Sequence, residues 1–130
     1  MIATTHITGV RTVSIPVEDQ SAALTFYVDA LGFSLERQFG PNMAIVVRDD
    51  ATLWLAGPGA SASRPMPDGA QPAPGGWARV VLVVDDLDGL VQALRNRGAT
   101  FRNDVVTGPG GRQILVEDPA GNAVELFEPA

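Results

Sequence analysis

The 130-residue sequence contains no cysteine, no lysine and a single histidine, His6. Without cysteine there are no disulfides, thiolate metal centres, iron–sulfur clusters or cysteine nucleophiles. Without lysine there is no Schiff-base chemistry and no Walker-type phosphate lysine. One histidine cannot build a polyhistidine metal site within one chain, and it lies too near the N-terminus to serve a credible Ser-His-Asp triad. Apolar runs fall far short of the roughly 20 residues that span a bilayer. The opening residues lack the basic start and apolar stretch of a signal peptide. These absences read as a cytoplasmic protein with no membrane partner. Acidic residues outnumber basic ones by 15 to nine, giving a net charge of −6. That balance argues against a nucleic-acid partner, which needs a basic footprint, and leaves room for a cationic ligand. What remains is 45% apolar and 18% charged, a globular composition with length for one domain and a real core.

Residues 57–76 stand apart by composition. Half of this stretch is glycine or proline, five of each. Proline lacks the backbone N–H and glycine loses the most entropy on ordering, so regular structure is excluded here. The stretch reads as a linker that flanks or covers a site. Its two sides resemble each other. Asp19 aligns with Asp86, Val17 with Val84 and Ile15 with Leu82, an offset of 67 residues; with one deletion Gly32 meets Gly98. This is an internal duplication, which divides the chain into a first module over 8–56, the linker, and a second module over 77–129.

Each half begins with a strand, 10–17 or 79–84, rich in β-branched residues. Asp19 and Asp86 are N-cap candidates. Leu24, Tyr27, Val28 and Leu31 fall at one helical face, and Leu87, Leu90, Val91 and Leu94 repeat that spacing. The pattern predicts helices over 21–31 and 87–97, with Gly32 and Gly98 as left-handed C-terminal caps. Three strands follow each helix: 33–39, 42–48 and 51–56, then 99–106, 113–117 and 122–127. The expected architecture is α+β: eight strands in two βαβββ modules, forming a curved mixed sheet with helices outside and a ligand cleft inside.

The duplicated βαβββ pattern, the strand end SIPVED, the helix end FYVDALGF and the closing EDPAGNAVELFEP resemble the vicinal oxygen chelate superfamily. That group contains glyoxalase I, bleomycin-resistance-type binding proteins, fosfomycin-resistance enzymes and extradiol dioxygenases. The resemblance implies the glyoxalase-like fold. It also implies that metal-dependent members draw ligands from the first and last strands of each half. In this chain the corresponding positions are Thr12, Arg79, one of Leu53, Trp54 and Leu55, and Glu125. Only Glu125 is a metal-ligand type; a permanent guanidinium at Arg79 repels a divalent ion. The expectation is therefore no metal and no cofactor.

Arg79 is expected to pair with Glu125 on the cleft floor, as a guanidinium fork matches a carboxylate. Thr12 joins them, and the aromatic residues Trp54, Trp77, Phe39 and Phe101 are candidate walls for a flat ligand. Arg102, Asn103 and Arg112 read as surface or cleft mouth, and Gly108–Gly111 as a hairpin turn. Asp85, Asp86 and Asp88 fit helix capping better than metal binding. The leading expectation is a metal-independent protein that binds a small aromatic or amphipathic molecule as a homodimer. Its alternatives are an enzyme of the same superfamily, a lyase, isomerase or dioxygenase, in which Glu125 is a general base or a metal ligand. In the base version Arg79 stabilises charge; in the metal version a partner chain supplies the missing ligands.

Overall fold

The structure, a computed structural model, describes residues 6–130. Two sheets form. In the first, β1 (Val13–Pro16) pairs parallel with β4 (Ala51–Ala56), which continues antiparallel through β3 (Met43–Arg48) to β2 (Ser34–Phe39). In the second, β5 (Val80–Val83) pairs parallel with β9 (Ala123–Pro129), followed by β8 (Gly111–Glu117) and β6 (Thr100–Phe101). A short β7 (Val106–Gly108) also lies on β8. The two sheets are thus built alike, and their first strands, Val13–Pro16 and Val80–Val83, lie 67 residues apart.

Among the described residues, nine strands replace the expected eight. The stretch 99–106 splits into β6 and the start of β7, because Asn103 leaves the ladder and caps a neighbour, its Oδ1 accepting from Leu115 N at 2.9 Å. The ladders of the two sheets do not join among the described residues. β1 and β5 each remain an edge strand, with Val13, Val81 and Val83 exposed.

The helices pack against one face of each sheet. Alternation is strict on the buried side: Ala44 and Val46, Leu53 and Leu55, Ile114 and Val116, Val124 and Leu126. They meet Ala23, Phe26, Tyr27 and Leu31 of the first helical segment and Leu87, Val91 and Leu94 of the second, so one core spans both modules. The first segment starts as α1 (Gln20–Leu24) with Asp19 Oδ1 accepting from Ala22 N at 3.1 Å, then widens to a π-helix over Thr25–Ala30. Leu31 N donates to Phe26 O at 3.0 Å, five residues back. The fully buried stripe therefore includes Phe26, while the expected Leu24 and Val28 sit at its margin. Gly32 and Gly98 take φ values of 78° and 82°, the left-handed conformation required just past a helix end.

The second helix, α2 (Leu87–Asn96), is capped twice. Asp86 Oδ1 accepts from Gly89 N at 3.0 Å, and Glu128 Oε1 accepts from Leu87 N at 2.9 Å. Arg112 bridges Glu128 Oε2 and the Asp88 carboxylate at 3.0–3.2 Å. The Leu87 N–H first, then Arg112, hold the Glu128 carboxyl below its usual value. A lowered folded value means its contribution is present above the unfolded pKa of about 4.3 and is lost as pH falls through the folded one. In thermal melts from pH 7 to 3, the wild type should accordingly lose its margin over Glu128→Gln. A margin independent of pH would show that the cap does not depend on charge.

Candidate functional site

The sheet faces turned away from the helices carry the candidate residues. Across β1 and β4, Ser14 pairs with Trp54; across β5 and β9, Val81 pairs with Glu125. Ser14 and Val81 are related by the internal offset, so Trp54 and Glu125 are equivalent positions. Of the three candidates on β4, Leu53 and Leu55 belong to the core and Trp54 faces the open side. Thr12 and Arg79 are equivalent by the same offset. The four positions therefore form two similar pairs, one on each sheet.

On the second sheet, Arg79 grips Glu125. Its Nη2 and Nε donate to Glu125 Oε1 at 2.7 and 3.0 Å, and Nη1 donates to Trp77 O at 3.1 Å. The Glu125 side chain is 10% exposed and that of Arg79 29%. Such burial is tolerable because the charges are paired and hydrogen-bonded. Glu117, whose facing could not be read from sequence, stands opposite Ala123 on the same face as Glu125. It receives Arg102 Nε at 2.9 Å. Arg102 also donates to Gly76 O and Gly121 O, and its guanidinium lies 4.6 Å from the Trp77 ring centroid. Both carboxylates of this face are thus neutralised by arginine, and Trp77 is an exposed shelf beside them.

On the first sheet, the Thr12 hydroxyl donates to Thr52 O at 2.8 Å. The Arg11 guanidinium lies 5.5 Å from the Trp54 ring centroid, and that of Arg37 lies 5.3 Å from Phe39. Phe39 pairs with Met43 on the same open side as Ile45 and Trp54. Phe101 behaves differently from the expectation. It pairs with buried Val116, packs toward the core and carries Arg95 at 4.9 Å, so it is not a wall of the Glu125 face. Strand parity decides this, and β6 is too short for its parity to be read from sequence.

Sequence reasoning missed the junction of the modules. Asp118, 4% exposed, accepts Tyr27 Oη at 2.8 Å, Asn122 Nδ2 at 2.9 Å and the backbone N–H groups of Ala120 and Asn122 at 2.9 Å. Asn122 in turn donates to Pro16 O at 2.7 Å and accepts from Gly75 N at 2.8 Å. A β-turn of module two thereby holds module one and the linker end. The signal was present as Asp-Pro-Ala-Gly-Asn, which sequence alone reads only as turn chemistry.

Residues 5–126 match the model of the Glyoxalase/Bleomycin resistance protein/Dioxygenase superfamily. The chain belongs to that superfamily. Among solved structures, a superfamily member from Sphaerobacter thermophilus is 34% identical, with 95% of this chain and 98% of that one covered and a TM-score of 0.71. TnmS3, an antibiotic binding protein from a Streptomyces species, is 32% identical over 95% of this chain and 98% of its own, TM-score 0.71. A lactoylglutathione lyase from Agrobacterium tumefaciens shares the fold at 21% identity, TM-score 0.70, with 93% of each chain covered. No curated protein matches the sequence.

Many members of this superfamily work with a divalent metal, and the donor set here does not fit one. The described residues contain no group of three or more His, Cys, Asp or Glu placed to share an ion. Glu125, the one carboxylate at an equivalent ligand position, has its Oε1 occupied by a guanidinium. Thr12, Trp54 and Arg79 offer no competent replacement.

Proposed function

We propose that this superfamily member is a small-molecule-binding protein of the glyoxalase/bleomycin-resistance type that acts without a metal. The observation that carries this is the Arg79–Glu125 pair: a cation occupies the space beside the surviving carboxylate. The ligand-binding residues are Arg79, Glu125, Thr12, Trp54, Trp77 and Phe39. Similarity to an antibiotic binding protein over nearly the whole chain supports binding of a small molecule, and Trp54, Trp77 and Phe39 suit an aromatic or amphipathic one.

The site is completed by a second copy of the chain. The unpaired edges of β1 and β5, with their exposed valines, support a homodimer in which the first sheet of one copy adjoins the second sheet of its partner. A cytoplasmic location is part of the same reading; no helix of the described residues is long and apolar enough to cross a membrane.

Titrating planar aromatic compounds against tryptophan fluorescence, before and after dialysis against EDTA, tests the reading. The expected result is saturable binding with unchanged affinity after chelation and a dimer by sedimentation. Stoichiometric divalent metal whose removal abolishes binding would overturn it.

One observation favours a second reading, in which Glu125 is a general base and Arg79 an electrostatic stabiliser. Among the described residues Glu125 Oε2 accepts no protein hydrogen bond and is not sealed from solvent, so it is open to a ligand proton. Turnover of a small-molecule substrate that disappears in Glu125→Gln while binding persists would favour this reading over simple binding.

A further inference from the structure

We infer that the open face of the first sheet selects the ligand, and that it selects a planar aromatic anion: a carboxylate, sulfonate or ionised phenol carried on a fused ring. This rests on the small-molecule-binding reading above and gives it a charge.

Arg37, Ile45, Trp54 and Ser14 lie in register across β2, β3, β4 and β1, forming one row. Met43 and Phe39 occupy the adjacent row, so half-buried apolar surface lies between two guanidinium groups. Each guanidinium stacks on an aromatic ring, Arg11 on Trp54 and Arg37 on Phe39. Neither donates a hydrogen bond to a protein acceptor among the described residues, in contrast to Arg48, Arg79, Arg102 and Arg112.

No carboxylate holds a paired position on this side: those of β1, β3 and β4 are Ser14, Pro16, Met43, Ile45, Val47, Thr52, Trp54 and Ala56. Glu36 is the extra residue of the β2 bulge and holds no cross-strand position. The opposite half of the proposed site adds no net repulsion, because Glu125 and Glu117 are each held by an arginine. A face with unsatisfied donors, stacked cations and no acid suits an electron-rich flat ring with a negative oxygen. This holds despite the net charge of −6, because a contact site responds to the charges within about a Debye length of 8 Å rather than to the whole chain.

Three isosteric probes separate the contributions: 9-anthracenecarboxylate, 9-anthracenemethanol and 9-(aminomethyl)anthracene, titrated against the full chain at two salt concentrations. The carboxylate should bind about tenfold tighter than the alcohol, with the amine weakest, and the gap should narrow in high salt. Arg11→Ala and Arg37→Ala should each cost the carboxylate about tenfold and leave the alcohol unchanged, while Arg97→Ala, at the exposed end of α2 on the helix side, changes neither. Circular dichroism melts of each variant confirm folding. Equal binding of all three probes would overturn the anion preference while leaving ligand binding intact; binding by none would overturn both. A carboxylate preference that survives in the Arg11→Ala/Arg37→Ala double variant would remove this face as its source.

Discussion

Asp118→Ala should be the most damaging single polar substitution in the chain, costing about 3–5 kcal/mol in urea denaturation. The carboxylate is nearly inaccessible and accepts four hydrogen bonds. Truncation leaves the Tyr27 hydroxyl, an Asn122 amide proton and two backbone N–H groups without acceptors in the core between the modules. Orphaned buried donors cost about 1–3 kcal/mol each, reduced where water can enter. Asp118→Asn keeps an acceptor and should lose less. A cost under about 1 kcal/mol would mean that the modules do not need this junction to fold.

The same junction gives an alkaline signature. Burial, reinforced by the Asp118 charge and hydrogen bond, pushes the Tyr27 hydroxyl well above its ordinary value. For a raised folded pKa, the stabilisation is complete below the unfolded value of about 10 and is lost as pH rises beyond it. Tyr27→Phe removes that titration, so its stability should fall less steeply than the wild type's above pH 10.

Arg79→Ala should cost about 3 kcal/mol, the lower end for breaking a buried ion pair. Glu125 would be left with one-tenth of its side chain exposed and no cation, whereas the 29% exposure of Arg79 lets some water take its place. If the pair is a substitute for a metal rather than a source of stability, Arg79→Leu/Glu125→Leu should be less destabilised than either single variant. Additive costs in the cycle would show that the two side chains act independently.

The proposed site is an unusual distribution of polarity over a duplicated frame. Equivalent positions hold Trp54 and Thr12 on one sheet and Glu125 and Arg79 on the other, and Arg11, the neighbour of Thr12, lies over the Trp54 ring. The two modules supply similar floors, one with cations stacked on aromatic rings and the other with a neutral ion pair. This division of labour is what a ligand with one charged edge and one flat body requires.

The sequence by itself determined the two-module βαβββ frame, the helix caps and the pairing of Arg79 with Glu125. Those features depend on local rules: period of apolar residues, cap chemistry, glycine at left-handed positions, and the cost of a lone buried carboxylate. Tertiary structure alone decided three things. It turned Trp54 rather than Leu53 or Leu55 to the open side and Phe101 toward the core, because strand parity follows register and register is a non-local property. It widened the first helix at Phe26 and Tyr27, which no propensity scale marks, and brought the Tyr27 hydroxyl to an acid 91 residues away. It also separated the sheets into two floors whose unpaired edges lie on different strands, since whether β1 meets β5 depends on how the helices of both modules share one core.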